Sequence, residues 1–431
     1  MNIQLVTCLV IFILMVIGYM QSKISRAVVA LMAMAAMVLT GCLKANDALS
    51  GFSNPNTILM ACMFIVSEGF SRTSAVVNMS KQVGRISRGS FTKVLLGYVV
   101  ITMMLSQISG SSSAAFSIMF PLVFSMCDEL GFTRSKMIFP IGLVSITTCA
   151  TLPIGGSAAT YAQYNGYLES FKITQYSVGF FDPMIARLPG LIAICLYAVF
   201  LAPKFCPELP PVEINPGMEK ARKTREPLKP LQEKIGYLTF IFVIIGMLLA
   251  DTINVPAWLI TLIGALALTL FGVLSVKDVY SAASLGGIVM MYVGVLAVGT
   301  ALTNTGAGEA VGNAVAMLLG DTHNNYVLGF AFFIAPFLLT QVMNNRAVSN
   351  IFIPVTIMTC SALNCNPVGP LMLTMAGALT AIMTPMATST VNMFMGLGGY
   401  DQKTMLKMSV FPSVLLAVVN VFWIMTIYPS F

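Results

Sequence analysis

Apolar runs of bilayer length recur from end to end of this 431-residue chain: 3–20, 26–41, 55–70, 136–152, 184–203, 236–250, 256–274, 284–303, 368–384 and 409–428. A hydrocarbon core asks for about 17 to 25 such residues per helix and offers no water to an unpaired backbone N–H or C=O, so helices are the structures that fit. The sequence therefore reads as an all-α integral membrane protein. Only 9% of its residues are charged, against about 25% in a soluble domain. No basic residue precedes the first run, and "QSKISR" after it has no small-residue cleavage site, so the run reads as a retained span rather than a secretory signal.

A net charge of +7 raises the possibility of a nucleic-acid partner, but the positive-inside rule accounts for the basic residues better. With the N-terminus outside, 19 of the 23 lysines and arginines fall in loops assigned to the cytoplasm, Lys44, Lys172 and Arg187 lie outside, and Arg346 remains within an apolar segment. This arrangement predicts a multi-pass protein of the cell (inner) membrane with both termini outside. The nine cysteines lack metal or redox spacing and read as packing residues, and the lone histidine, His323, falls in the outer loop "GDTHNNY". Neither paired carboxylates nor a histidine cluster occurs at depth, so the reading is a non-enzyme with no metal requirement other than sodium. A channel is the third class, separable from a transporter by whether flux saturates.

The chain also repeats itself. Pro121 and Pro354 are 233 positions apart, Pro153 and Pro385 are 232, and Asp47 and Asp278 are 231. Near-constant offsets over more than a hundred residues mark two halves, 1–203 and 236–431, joined by a polar, proline-rich cytoplasmic linker over 204–235. Each half holds five spans and one segment that does not fit a simple span, 91–128 and 326–361, and each of these segments is broken in the middle by polar residues. An odd count of crossings makes the repeats inverted in the membrane. A re-entrant hairpin with a polar tip at mid-depth then satisfies both charge distribution and repeat, provided the irregular backbone lines a cavity.

Four interruptions result: "SGSSS" (109–113), "PIGGSA" (153–158), "MNNR" (343–346) and "PMATST" (385–390), in two matched pairs. Exposed N-terminal amides of half-helices favour an anion, while exposed carbonyls, hydroxyls and Asn amides favour sodium. A guanidinium among them, Arg346, reads as a bidentate clamp on an anion, which offsets an insertion cost of roughly 3 kcal/mol.

The paired broken hairpins and the stretches "SSSAAFSIMFP" and "TPMATSTVNMFMGLGGY" resemble the divalent anion:sodium symporter family of the ion transporter superfamily. That resemblance implies a homodimeric secondary transporter of a small divalent anion, a C4-dicarboxylate or citrate-like, working by an elevator motion with sodium as the coupling ion. The family carries one more N-terminal span, which would put this N-terminus outside. Carried over residue by residue, the family's tip motifs imply substrate contacts at Ser112, Ser113, Gly156, Asn345, Arg346 and Thr388. They imply a first sodium site at Ser111, Ser112 and the Gly155 backbone, and a second at Thr340, the Met343 carbonyl, Asn345 and the Ala387 carbonyl. The sequence departs from the family in two ways: Gln107 stands where the family has a small hydroxyl residue and Ser112 where it has Asn, and Arg346 replaces a Thr. A sodium-independent anion exchanger, or a carrier of a sulfate-like oxyanion, is the alternative reading.

Overall fold

A computed structural model describes the chain except for residues 1–2, 21–25, 75–77, 79–81, 84–86, 88, 209–227, 251–252, 285–287, 320–323, 342–344 and 385–386. Among the sequence expectations, Met343, Asn344, His323, Pro385 and most of the linker lie outside the described residues.

The first half runs α1 (Ile3–Met20), α2 (Arg26–Leu39), α3 (Ala45–Ser53), α4 (Pro55–Ser71), α5 (Phe91–Ser109), α6 (Ser112–Leu130), α7 (Arg134–Thr147), a 3-10 turn (Gly155–Ala159), α8 (Thr160–Ser170) and α9 (Asp182–Phe200). The second runs α10 (Pro230–Leu248), α11 (Ala257–Leu270), α12 (Val276–Ser284), α13 (Ile288–Thr305), α14 (Ala307–Leu319), α15 (Asn325–Thr340), α16 (Asn345–Ala362), α17 (Val368–Ala378), α18 (Ser389–Gly398) and α19 (Gln402–Ile427). Apart from α14, which has no counterpart among the described first-half helices, the order matches, and the packing exchanges with it. Helix α2 packs on α13 while α11 packs on α4, and α3 lies on α13 while α12 lies on α4. Small residues permit such close crossings: a Cβ on Gly294 would lie 2.7 Å from the Ala30 Cβ across the α2–α13 contact.

Two groups of helices result. Helices α1–α4 and α10–α13 interlock as one group, and α5–α7, α9, α15–α17 and α19 pack together as another. The groups are bridged by α8 between α4 and α13, by α14 between α13 and α16, and by the packing of α4 on α5 and the 3-10 turn.

The runs 136–152 and 368–384 contain half-helices. Helix α7 has 14 residues and α17 has 11, which at 1.5 Å per residue gives about 21 and 16 Å, short of a bilayer core. The hairpin arms α5 and α6, at 19 residues each, are long enough to cross singly. Their tip nevertheless lies inside the protein, because the Gly110 carbonyl accepts a 3.0 Å hydrogen bond from Arg346 Nη2 at the start of α16. Length alone would have made each hairpin two spans.

One basic residue is not where charge counting put it. Arg187 is no outer-loop residue; it lies in the second turn of α9, 5% exposed, because backbone carbonyls at the end of α7 supply its partners. All nine cysteines are buried or half-buried.

Candidate functional site

Both hairpins meet the broken helices through the same side-chain device. Gln107, at the end of α5, donates to the Thr148 carbonyl (2.6 Å) and accepts from the Thr151 and Leu152 amides (both 3.0 Å). Gln341, at the end of α15, donates to the Thr380 carbonyl (3.0 Å) and accepts from the Met383 amide (3.0 Å). A primary amide suits this task because it carries a donor and an acceptor together, and the interrupted backbone beside it exposes both kinds of group.

The paired clasps correct the register expected from the prolines. Gln107 corresponds to Gln341, so the small hydroxyl residue equivalent to Thr340 is Ser106, and Gln107 occupies no ligand position. The signal was present as "LSQ" (105–107) and "LTQ" (339–341). Fourteen positions separate Gln107 from Pro121 and thirteen separate Gln341 from Pro354, so the first tip is one residue longer, and an alignment on the prolines shifts it.

Around the tips lies a cavity of about 150 Å³. Four helix N-termini converge on it. Ser111 caps α6 by accepting from the Ala114 amide, and Thr388 caps α18 by accepting from the Val391 amide. The 3-10 turn presents Gly156 and Ser157, and α16 opens with Asn345 and Arg346. Converging N-termini give a positive potential without a formal charge. Arg346 is the sole charged residue among those lining the cavity, and none of them is a carboxylate. Its guanidinium lies 5.8 Å from the centre of the Phe64 ring, a cation–π distance, so it spans from the second hairpin to α4.

Every residue expected to touch substrate lines this cavity: Ser112, Ser113, Gly156, Asn345, Arg346 and Thr388. Ser112 bonds Thr390 (3.1 Å), and Ser113 bonds Ser389 (2.7 Å) and Thr390 (3.2 Å), joining the first tip to the start of α18. Of the residues expected at sodium, Ser111, Ser112 and Asn345 line the cavity, while Gly155, Thr340 and Ala387 are buried and not among its lining residues. The Thr340 hydroxyl donates to the Ala378 carbonyl at 2.9 Å and lies 3.4 Å from the Asn345 side-chain oxygen. Thr340 Oγ1 and Asn345 Oδ1 thus lie within hydrogen-bonding distance of each other behind the second tip.

Sequence reading missed the opposite wall. Met60 and Phe64 of α4 and Met291 and Tyr292 of α13 close the cavity with apolar and aromatic surface, and Ser349 and Asn350 extend its polar side along α16. Asn350 accepts from the Tyr167 hydroxyl at 2.7 Å, and Tyr292 donates to the Gln163 carbonyl at 3.2 Å. These contacts seal the end toward which α8 and α16 run. Ala114 and Ser389 are exposed beside the first tip and the start of α18, and Ser113 is half-buried. Membership of a wall supplied by other helices has no local signature, since Phe64 and Tyr292 look like any aromatic residue of an apolar helix.

A profile of the citrate transporter family matches residues 9–378. The chain belongs to the citrate transporter family. The resemblance drawn from its motifs is thereby borne out at the level of the ion transporter superfamily. This family member is 28% identical over 181 residues to the uncharacterized transporter YfbS of Escherichia coli, covering 40% of this chain and 29% of that protein. It is 23% identical over 288 residues to the putative malate transporter YflS of Bacillus subtilis, covering 62% and 58%. It thus spans less than two thirds of the length of either relative. Among solved structures, Neisseria gonorrhoeae MtrF superposes with a TM-score of 0.65 at 14% identity, over 98% of this chain and 94% of that one. At that identity the likeness concerns the fold.

Proposed function

We propose that this protein is a secondary active transporter of a small divalent carboxylate, a C4-dicarboxylate or citrate-like anion. The observation that carries the reading is one cavity walled by four helix N-termini and a guanidinium, with no carboxylate among its lining residues. The family's description and the putative malate transporter among its relatives support the same substrate class. The two helix groups suit an elevator, in which the hairpins and broken helices move against α1–α4 and α10–α13 as the bridging contacts of α8 exchange. Sodium coupling rests on the Thr340 and Asn345 oxygens, and a homodimer in the inner membrane with both termini outside completes the proposal. The second reading, sodium-independent exchange, draws on Arg346 as a fixed cation at the site.

Counterflow in proteoliposomes tests both. Preloaded citrate or succinate is expected to drive uptake of the labelled anion, with uptake rising with external sodium. Counterflow indifferent to sodium selects the exchanger, and counterflow by none of citrate, succinate, malate or sulfate removes the proposal.

Topology has its own check. A cysteine at Lys229, exposed before α10, is expected to resist a membrane-impermeant maleimide in intact cells, while one at Gln175, exposed between α8 and α9, reacts above the parent's background. The reverse pattern overturns the assignment of both termini to the outside.

A further inference from the structure

Arg187 takes no part in the cavity wall, yet it holds the backbone immediately behind it. Its Nη1 donates to the carbonyls of Cys149 (2.8 Å) and Ala150 (3.1 Å), and its Nη2 donates to that of Thr147 (2.9 Å). Cys149 and Ala150 themselves line the cavity. The side chain is 5% exposed, and no salt bridge among the described residues includes it. The carboxylate on its own helix, Asp182, faces the other way, accepting from the Gly179 amide (2.7 Å) and the Tyr428 hydroxyl (3.1 Å). A guanidinium thus sits at the C-terminal, electronegative end of a half-helix, in a region where burying a charge is expensive.

The second half meets the corresponding carbonyls without a charge. There the carbonyls past the end of α17 are met by neutral donors: Ser409 on Ile382 (2.9 Å) and Gln402 on Met383 (2.9 Å), both from α19. Capping therefore needs no charge, and the positive charge in the first half calls for a separate reason. The nearest one is the anion site on the far side of the same few residues.

We propose that Arg187 is a built-in cation of the substrate site. It occupies a carbonyl cluster that would otherwise suit a metal cation, and with Arg346 it sets two fixed positive charges against the two negative charges of a dianion. Arg346 contacts the substrate directly, and Arg187 acts through the Thr147–Ala150 backbone as a positioning residue. The first half of the site then needs no sodium ion, so any coupling sodium binds at the Thr340 and Asn345 oxygens. This inference rests on the dianion reading above.

Half-saturation and maximal rate of succinate counterflow, measured with and without sodium, test it. Arg187→Gln keeps amide donors for the carbonyls and loses the charge, so its half-saturation concentration is expected to rise about tenfold with the maximal rate little changed. Arg187→Lys, which keeps the charge, is expected to stay close to the parent. Added sodium is expected to restore part of the loss in Arg187→Gln, because the freed carbonyls accept it. Half-saturation unchanged in Arg187→Gln, or raised equally in Arg187→Lys, makes the residue a cap and overturns the inference. If Arg187→Gln does not fold, Arg187→His decides. Relative to the parent, its succinate affinity is expected to increase as pH falls and the imidazole gains its charge, and no such dependence overturns the inference. A parent that shows no counterflow with any anion tested instead removes the transport reading, and this inference falls with it.

Discussion

Replacing Arg346 by threonine will weaken dianion binding by about tenfold to a hundredfold while the protein remains folded and inserted. The guanidinium lines the cavity as its sole charged residue, and a hydrogen bond to a charged group contributes roughly 1.5 to 3 kcal/mol. Lysine at this position keeps the charge and loses the planar fork, so Arg346→Lys is expected to fall between parent and threonine. Folding tolerates the change because the hydrogen bond that Arg346 makes to Gly110 joins two tips already tied to the broken helices by Gln107 and Gln341. Substrate-induced thermal shift measures affinity, and the unliganded melting temperature reports folding. Threonine at this position also leaves the cavity wall without a formal charge, so sodium is expected to matter more in the variant. Unchanged affinity together with an unchanged sodium response would make Arg346 a purely structural tie.

The second large effect lies at Gly155. Its φ of +59° is in the left-handed region, and an added Cβ would sit 2.3 Å from the Ile108 carbonyl oxygen and 2.4 Å from the Ile108 Cα. Both obstacles are backbone, so no rotamer change relieves them. Gly155→Ala is expected to push the first hairpin off the broken helix, abolish counterflow and lower the melting temperature by several degrees. Gly41 separates backbone strain from collision: its φ is +72° with nothing within 4 Å of an added Cβ. Gly41→Ala meets only the conformational cost, about 1 kcal/mol, and is expected to transport normally. Full counterflow in Gly155→Ala would mean that hairpin and break are not packed this closely during transport.

Much of the site could be read directly because its elements are local. A polar, small-residue break inside an apolar run is visible wherever it occurs, and helix N-caps such as Ser111 and Thr388 sit one residue before the helix they start. Duplication made those breaks credible by supplying each with a partner. It also misled at the first tip, where the proline offset concealed one extra residue and the clasping glutamines set the register.

By itself the sequence determined that the chain is helical and membrane-embedded, that polar breaks recur at matched offsets along it, and that serines, glycines, Asn345 and Arg346 stand where helices break. These follow from composition and short-range spacing, because in a bilayer an apolar run has essentially one way to satisfy its backbone. Tertiary structure alone decided that the 19-residue arms of the first hairpin end inside the protein, and that α4 and α13 wall the cavity. It also decided that Arg187 leaves the outer face to hold carbonyls some 40 positions earlier. Each of these depends on groups far apart in the chain, up to 236 positions for Gly110 and Arg346. Their meeting is set by how helices pack, and packing partners leave no periodic trace in the residues themselves.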